Sequence, residues 1–251
     1  MTKSYIKRYR LLDNIRGLCI INMILYHAIW DIVYIYGVNM PWYESNGAHI
    51  WQQCICWTFI LLSGFCWSFS RNNLKRGLMV FVCSIIISLV THIFMPDSKI
   101  LFGVLSLIGS AMIIIVPMDK LYKKINPFIG LILCFVLFLF TRNINDGSLG
   151  FFGRDFIKLP DVLYSNMFTA YLGFPQKGFY SSDYFSIFPW VFLYQTGYFL
   201  HGIFIKQNWL DKIPDISIKP LAWLGKNSLY VYMAHQPVIY AVLWLFFEFW
   251  R

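Results

Sequence analysis

A chain of 251 residues that is 58% hydrophobic and 20% aromatic but only 13% charged carries about half the charge density of a soluble protein. A water-soluble globule is excluded, and a mean hydropathy of +0.57 agrees. The charge is lopsided, 21 Lys and Arg against 12 Asp and Glu, so the formal +9 has to be located before it can name an anionic partner.

Seven apolar runs approach the roughly 20 residues that a helix needs to cross the hydrocarbon core. In chain order they are predicted over residues 18–36, 51–69, 77–95, 100–118, 127–141, 184–205 and 220–247. The first is preceded by a basic segment, with Lys3, Lys7, Arg8 and Arg10 among the first ten residues, and itself contains Asn, His and Asp, which reads as a retained span rather than a cleaved leader. Between the fifth and sixth runs, residues 142–183 form a long outer loop rich in Gly, Phe, Tyr and Asp. Its moderately apolar middle, 159–174, is bracketed by Pro160 and Pro175 and is predicted as an interfacial or re-entrant helix; the plainer reading is a loop that caps the outer face. Its aromatics Phe151, Phe152, Phe179 and Tyr180, with Trp42 and Tyr43, are candidates for stacking on sugars, although interfacial belts already account for most membrane-protein Trp and Tyr.

Lys and Arg in the connecting segments set the orientation. With the N-terminus inside, fifteen fall on the cytoplasmic side, beginning with Lys3, Lys7, Arg8, Arg10 and Arg16 and continuing through Arg71, Lys75 and Arg76 to Lys226. Six fall outside, among them Arg142, Arg154 and Arg251. Adding the acids gives +11 inside and −2 outside, so the basic excess is an orientation signal and lends no support to nucleic acid. The prediction is an all-α integral membrane protein of about seven transmembrane helices, N-in and C-out: one polytopic, multi-pass domain over residues 1–251, placed in the cell membrane, with the 142–183 loop within it. The six Cys lie in or beside the runs without a disulfide framework or zinc spacing, and no metal is expected.

Polar residues inside the runs carry the functional argument, because ionisable groups in hydrocarbon are costly and are kept for a reason. Asp13, Arg16, Asn22, His27 and Asp31 all lie on or near the helix of the first run. Arg16 and His27 are eleven residues apart, which at 100° per residue returns them to within about 20° of one face, about 16 Å apart along the axis. Asp31 lies one turn beyond His27 and Asp13 one turn before Arg16. Singly these residues read as a positive-inside anchor, a satisfied core histidine and an interface acid. On one face they suit a cation that holds a phosphorylated donor, an imidazole base deeper in the membrane, and a carboxylate that fixes its tautomer. In the last run His235 is accompanied by Asn227, Gln236 and Pro237, a second polar level that could face His27 or act as packing glue. Gln195 and His201 are weaker cases of the same kind.

The stretch Arg10-Leu-Leu-Asp13-Asn-Ile-Arg16-Gly17, continuing to Tyr26-His27, resembles the opening of the heparan-alpha-glucosaminide N-acetyltransferase catalytic-domain family. It is also similar to the wider membrane acyltransferase group that includes acyltransferase family 3, with its Arg, ten residues and His. Asp183 to Pro189-Trp190, with Gly197 and Gly202 beyond, resembles the family's proline-tryptophan helix, and Trp223 to Asn227-Ser228 and His235-Gln236-Pro237 its closing helix. The resemblance implies transfer of an acetyl or other acyl group from cytoplasmic acetyl-CoA to a hydroxyl or amine of a sugar or glycan on the other side. It implies CoA contact for Arg16, a catalytic base or transient acyl carrier at His27 assisted by Asp31, and acceptor contacts at Trp190, Asn227, His235 and Gln236. Arg71 and Arg76 offer further positive charge for CoA, though the positive-inside rule alone predicts them. About seven spans, against ten or more in larger relatives, and the lack of a large luminal region keep heparan from being carried over as acceptor and leave room for a homodimer. Two other readings stand beside the enzyme: a transporter or flippase with Arg16, His27 and Asp31 along its path, and a non-catalytic subunit of a membrane complex. A transporter predicts an internal repeat, and none is seen.

Overall fold

The computed structural model describes residues 8–151 and 154–249; Lys3, Lys7, Phe152 and Arg251 lie outside the described residues. The chain forms helices α1 (Arg10–Tyr34), α2 (Asn46–Cys66), α3 (Asn73–Phe94), α4 (Val104–Tyr122) and α5 (Pro127–Phe140), then strands β1 (Ser148–Phe151) and β2 (Arg154–Lys158). Helices α6 (Met167–Leu172), α7 (Trp190–Lys206), α8 (Lys219–Lys226) and α9 (Ser228–Phe249) follow. Local sequence explains several starts: Asn72 accepts from the Lys75 amide, Asn126 caps a helix opened by Pro127, and Asn166 with Thr169 forms a reciprocal capping box.

Among the described residues six helical segments are long and apolar enough to cross a membrane: Arg10–Tyr34, Asn46–Phe69, Asn73–Phe94, Val104–Tyr122, Pro127–Asp146 and Ser228–Phe249. Large apolar side chains on α3, including Leu78, Val82, Ile85, Leu89 and Ile93, are exposed, as they would be with lipid as solvent. The protein is therefore a mostly helical, multi-pass integral membrane protein. The sixth predicted run differs: it is helical only over Trp190–Lys206, 17 residues or about 25 Å, because irregular chain and a turn occupy residues 184–189. The seventh predicted run is two helices, divided at Asn227, whose side chain donates to the Trp223 carbonyl and competes with helix continuation.

Two compact units are present. The first joins the described residues up to Phe59 with those from Leu210 on. In it α1 packs on α8 and α9 through a buried face that includes Asp13, Gly17, Ile20 and Asp31. Trp51 Nε1 on α2 donates to Asn22 Oδ1 at 3.0 Å, and the Cys19 thiol lies 3.2 Å from the Ile55 carbonyl.

The second unit, Ile60–Trp209, pairs α3 with α4 and α5 with α7. A Cβ on Gly64 would stand 1.9 Å from the Tyr194 carbonyl oxygen and one on Gly197 2.1 Å from that of Leu61, so the end of α2 and α7 touch backbone to backbone. The predicted outer loop lies here and is not built around a long helix. Among its described residues only the six of α6 are α-helical, about 9 Å and too short to re-enter a bilayer, with single 3-10 turns at Ile144–Asp146 and Asp161–Leu163. Ahead of them β1 and β2 form an antiparallel hairpin, Ser148 opposite Lys158 and Phe151 opposite Arg154, with a bulge after Leu149. Backbone bonds from Ser182 to Lys99, Phe185 to Phe102 and Ile187 to Tyr171 fasten the rest of the segment.

Candidate active site

In the first unit α1 is one unbroken helix of 25 residues, about 37 Å, so the periodicity argument for Arg16 and His27 holds along its whole length. Its N-terminal end is clamped to α8. Gly17 meets the Leu221 carbonyl and Gly225 meets that of Asp13, with no room for a Cβ at either. Asn14 grips the chain before α8 with both ends of its amide, donating to the Ile216 carbonyl at 2.9 Å and accepting from the Ile218 amide at 3.3 Å.

This clamp determines where Arg16 sits. Its Nη1 lies 3.3 Å from Asp13 Oδ1 and within 3.5 Å of the Gly225 carbonyl, at the C-terminal end of α8 where a cation is favoured. The other Asp13 oxygen accepts from Arg8 Nε at 2.6 Å, and Arg10 lies 3.6 Å from Asp215. Three guanidinium groups share two carboxylates, and the end of α1 keeps a positive balance although Arg16 itself is held by the protein.

Further along α1, His27 meets α9. Its ring centroid is 5.0 Å from that of His235, with planes 59° apart, and Tyr26 is edge-on at 6.3 Å. His27 makes no hydrogen bond among the described residues. His235 Nδ1 donates to the Tyr232 carbonyl at 2.5 Å in its own helix, which fixes its proton on Nδ1 in the neutral ring. Pro237, two residues on, removes the bond that its position would have sent to Met233.

Asp31 departs from expectation. It is 0% exposed, and its Oδ1 accepts from Gln236 Nε2 at 2.8 Å instead of bonding to His27. The sequence places Asp31 one turn from His27, but a partner 205 residues away in the chain claims it. Gln236 is likewise occupied through its amide nitrogen. Asp31 Oδ2 and Gln236 Oε1 are buried and unpaired among the described residues.

The remaining predicted residues each have a place in one of the two units. Asn227 ends α8 instead of lying inside the last span. Trp190 is buried in the second unit, its ring 5.5 Å from Phe138 and 4.9 Å from Phe185, with the Arg142 guanidinium 5.3 Å above it. Arg71 and Arg76 also belong to the second unit, exposed in the connection into α3 and in its first turn. Tyr43 is buried, donates to the Tyr26 carbonyl at 3.1 Å, and is not available to stack on a sugar; Trp42 and Tyr180 are exposed. Gln195 links Tyr122 at 2.9 Å to the Cys134 thiol at 3.7 Å, and His201 is boxed by Phe65 and Phe69 with its Nε2 buried and unpaired among the described residues. Among the described residues no group of three or more His, Cys, Asp or Glu could hold a metal ion.

Asn14 and Arg8 are the residues that sequence reasoning missed. Asn14 sits directly beside Asp13 in the first turn of a span, and that polar doublet was the available signal.

Residues 8–237 match a family described as heparan-alpha-glucosaminide N-acetyltransferase, catalytic. No curated protein and no solved structure matches the chain.

Proposed function

The chain belongs to the heparan-alpha-glucosaminide N-acetyltransferase catalytic family and is in kind a membrane acetyltransferase; from that premise we propose that it moves an acetyl group from cytoplasmic acetyl-CoA to a hydroxyl or amine of a sugar or glycan on the extracytoplasmic side. The observation that carries this reading is His27: an imidazole inside a membrane span, against a second imidazole at 5.0 Å, with no hydrogen bond among the described residues claiming it. Such a ring has a lone pair to offer a substrate, either as general base on the acceptor or as a transient acyl carrier.

The donor's phosphates fit the other end of the same face. Arg8, Arg10 and Arg16 outweigh Asp13 and Asp215 there, and the axial distance of about 16 Å to His27 suits a donor whose anionic groups and thioester are far apart. Arg16, held by Asp13 and the end of α8, is a fixed contact. Arg71 and Arg76 contribute long-range attraction at the cytoplasmic surface. On the acceptor side we assign contact to His235, whose Nδ1–H bond to Tyr232 orients its ring towards a defined task. Gln236, Asn227 and Trp190 are each engaged by protein groups and act by positioning what surrounds them. With α7 as a seventh crossing at about 25 Å, the chain lies N-in and C-out in the cell membrane, which puts the Arg cluster on the side where acetyl-CoA is made.

The test uses the full chain in liposomes with radiolabelled acetyl-CoA and a panel of amino sugars and glycans. Thioester consumption should fall about 10²–10⁴-fold in His27→Ala, the usual contribution of a general base, and persist at a reduced rate in His235→Ala. Wild-type turnover by His27→Ala would remove His27 from the chemistry.

A further inference from the structure

Asp31 and Gln236 present four polar atoms of which the protein visibly satisfies two. Gln236 Nε2 donates to Asp31 Oδ1 at 2.8 Å, while the second oxygen of each group, Asp31 Oδ2 and Gln236 Oε1, is buried with no partner among the described residues. No salt bridge reaches Asp31 among the described residues, although it is 0% exposed. A carboxylate contributes acceptors only, so it can do nothing for Gln236 Oε1, and a buried charge with a single neutral hydrogen bond is poorly compensated. One proton changes the count: a carboxylic acid keeps an acceptor and gains an O–H donor.

We propose that Asp31 is a carboxylic acid whose Oδ2–H donates to Gln236 Oε1, closing with the existing N–H···O bond a two-bond acid–amide ring that ties α1 to α9. Each acceptor is then paired and no charge is buried. Titratable groups surround it on each element: on α1 His27 lies one turn before it and Tyr34 one turn after, on α9 His235 precedes Gln236 and Tyr240 lies one turn beyond it, and Tyr36 and Tyr43 stand in the segment after α1. No Lys or Arg pairs with Asp31 among the described residues. Gln236 is then a positioning residue, and the two imidazoles meet without an anion of this pair to support an imidazolium. The inference does not rest on the acetyl-transfer reading, and its readouts need no turnover.

Infrared difference spectra of the full chain in lipid nanodiscs, wild type minus Asp31→Asn at neutral pH, test it. A protonated-carboxyl carbonyl stretch that moves in D2O and shifts again in Gln236→Leu is expected. A difference spectrum containing only carboxylate stretches would overturn the proposal. Thermal unfolding gives an independent check, because an Asn at position 31 can donate to Oε1 and accept from Nε2 and so rebuild both bonds. Asp31→Asn should melt close to wild type while Gln236→Leu melts lower. An Asn variant as unstable as the Leu variant would show that the negative charge itself is required.

Discussion

The contact between α1 and α8 yields the most quantitative prediction. A Cβ on Gly17 would stand 2.0 Å from the Leu221 carbonyl oxygen, and one on Gly225 1.9 Å from the Asp13 carbonyl oxygen, whereas ordinary contact begins near 3.4 Å. The obstruction is backbone, so no rotamer change relieves it, and in Gly17→Ala α8 must retreat by more than an ångström. Overpacking costs about 1–3 kcal/mol, with the upper end expected for an immovable neighbour. The retreat also stretches both Asn14 bonds, at 2.9 and 3.3 Å, each worth about 1 kcal/mol net. The total, about 3–5 kcal/mol according to how far the Asn14 bonds are lost, corresponds to a melting point about 6–20 °C lower for a chain of this size. Thermal unfolding in detergent, followed by tryptophan fluorescence, reads the shift. Gly47→Ala is the control, since its nearest neighbour is the Ser45 hydroxyl at 3.4 Å. Because Gly17 and Gly225 serve one contact, the double variant should lose less than the two singles added together. If Gly17→Ala and Gly47→Ala both melted with the wild type, α8 would not be packed on α1 as described.

Two further outcomes follow from polar groups in the second unit. Asp155 accepts from the Ser148 hydroxyl at 2.5 Å and from Asn143 Nδ2 at 3.1 Å, and those bonds hold its carboxyl below the usual carboxylate range. Its contribution to hairpin order is therefore present above the unfolded value of about 3.9 and is lost as pH falls through the lower folded value; hydrogen exchange in β1 and β2 should rise there in wild type, and an Asp155→Asn variant with the same pH response would refute the assignment. Gln195→Leu removes the donor to the Tyr122 hydroxyl and the acceptor of the Cys134 thiol, leaving buried groups of α4 and α5 short of partners. A loss of about 1–3 kcal/mol is expected, seen as a lower melting temperature, and an unchanged one would show that the network bears no stability.

What the sequence makes legible is whatever repeats within one helix. The eleven-residue step from Arg16 to His27 needs only α1 to be continuous, and it is. Length and hydropathy likewise find the spans, because the bilayer imposes one dimension on all of them. Contacts between distant segments leave no such period. Nothing near Asp31 announces Gln236, and the helical turn between His27 and Asp31 suggests a pairing that the α9 partner pre-empts. The division at Asn227 is hidden because residues 220–247 stay apolar on both sides of it, and the cap depends on where the helix ends. The hairpin is hidden for the opposite reason: five exposed residues in β2 show no alternating burial, so β2 carries no two-residue signal.

The five polar residues of α1 that stood out in the sequence separate on one criterion. Asp13 is paired with Arg8 and Arg16, and Arg16 with Asp13 and the end of α8. Asn22 accepts from Trp51 and donates to the Leu18 carbonyl, and Asp31 accepts from Gln236. Each of these four is accounted for by a protein partner: Arg16, Asn22 and Asp31 join α1 to another segment and Asp13 holds Arg16 in place, which is reason enough to retain a polar group there. His27 is different. It takes no hydrogen bond among the described residues, and its ring contacts with His235 and Tyr26 would be made as well by an aromatic residue with no titratable nitrogen. Packing explains the ring and leaves the nitrogens unexplained, and a substrate proton or acyl group is what would use them.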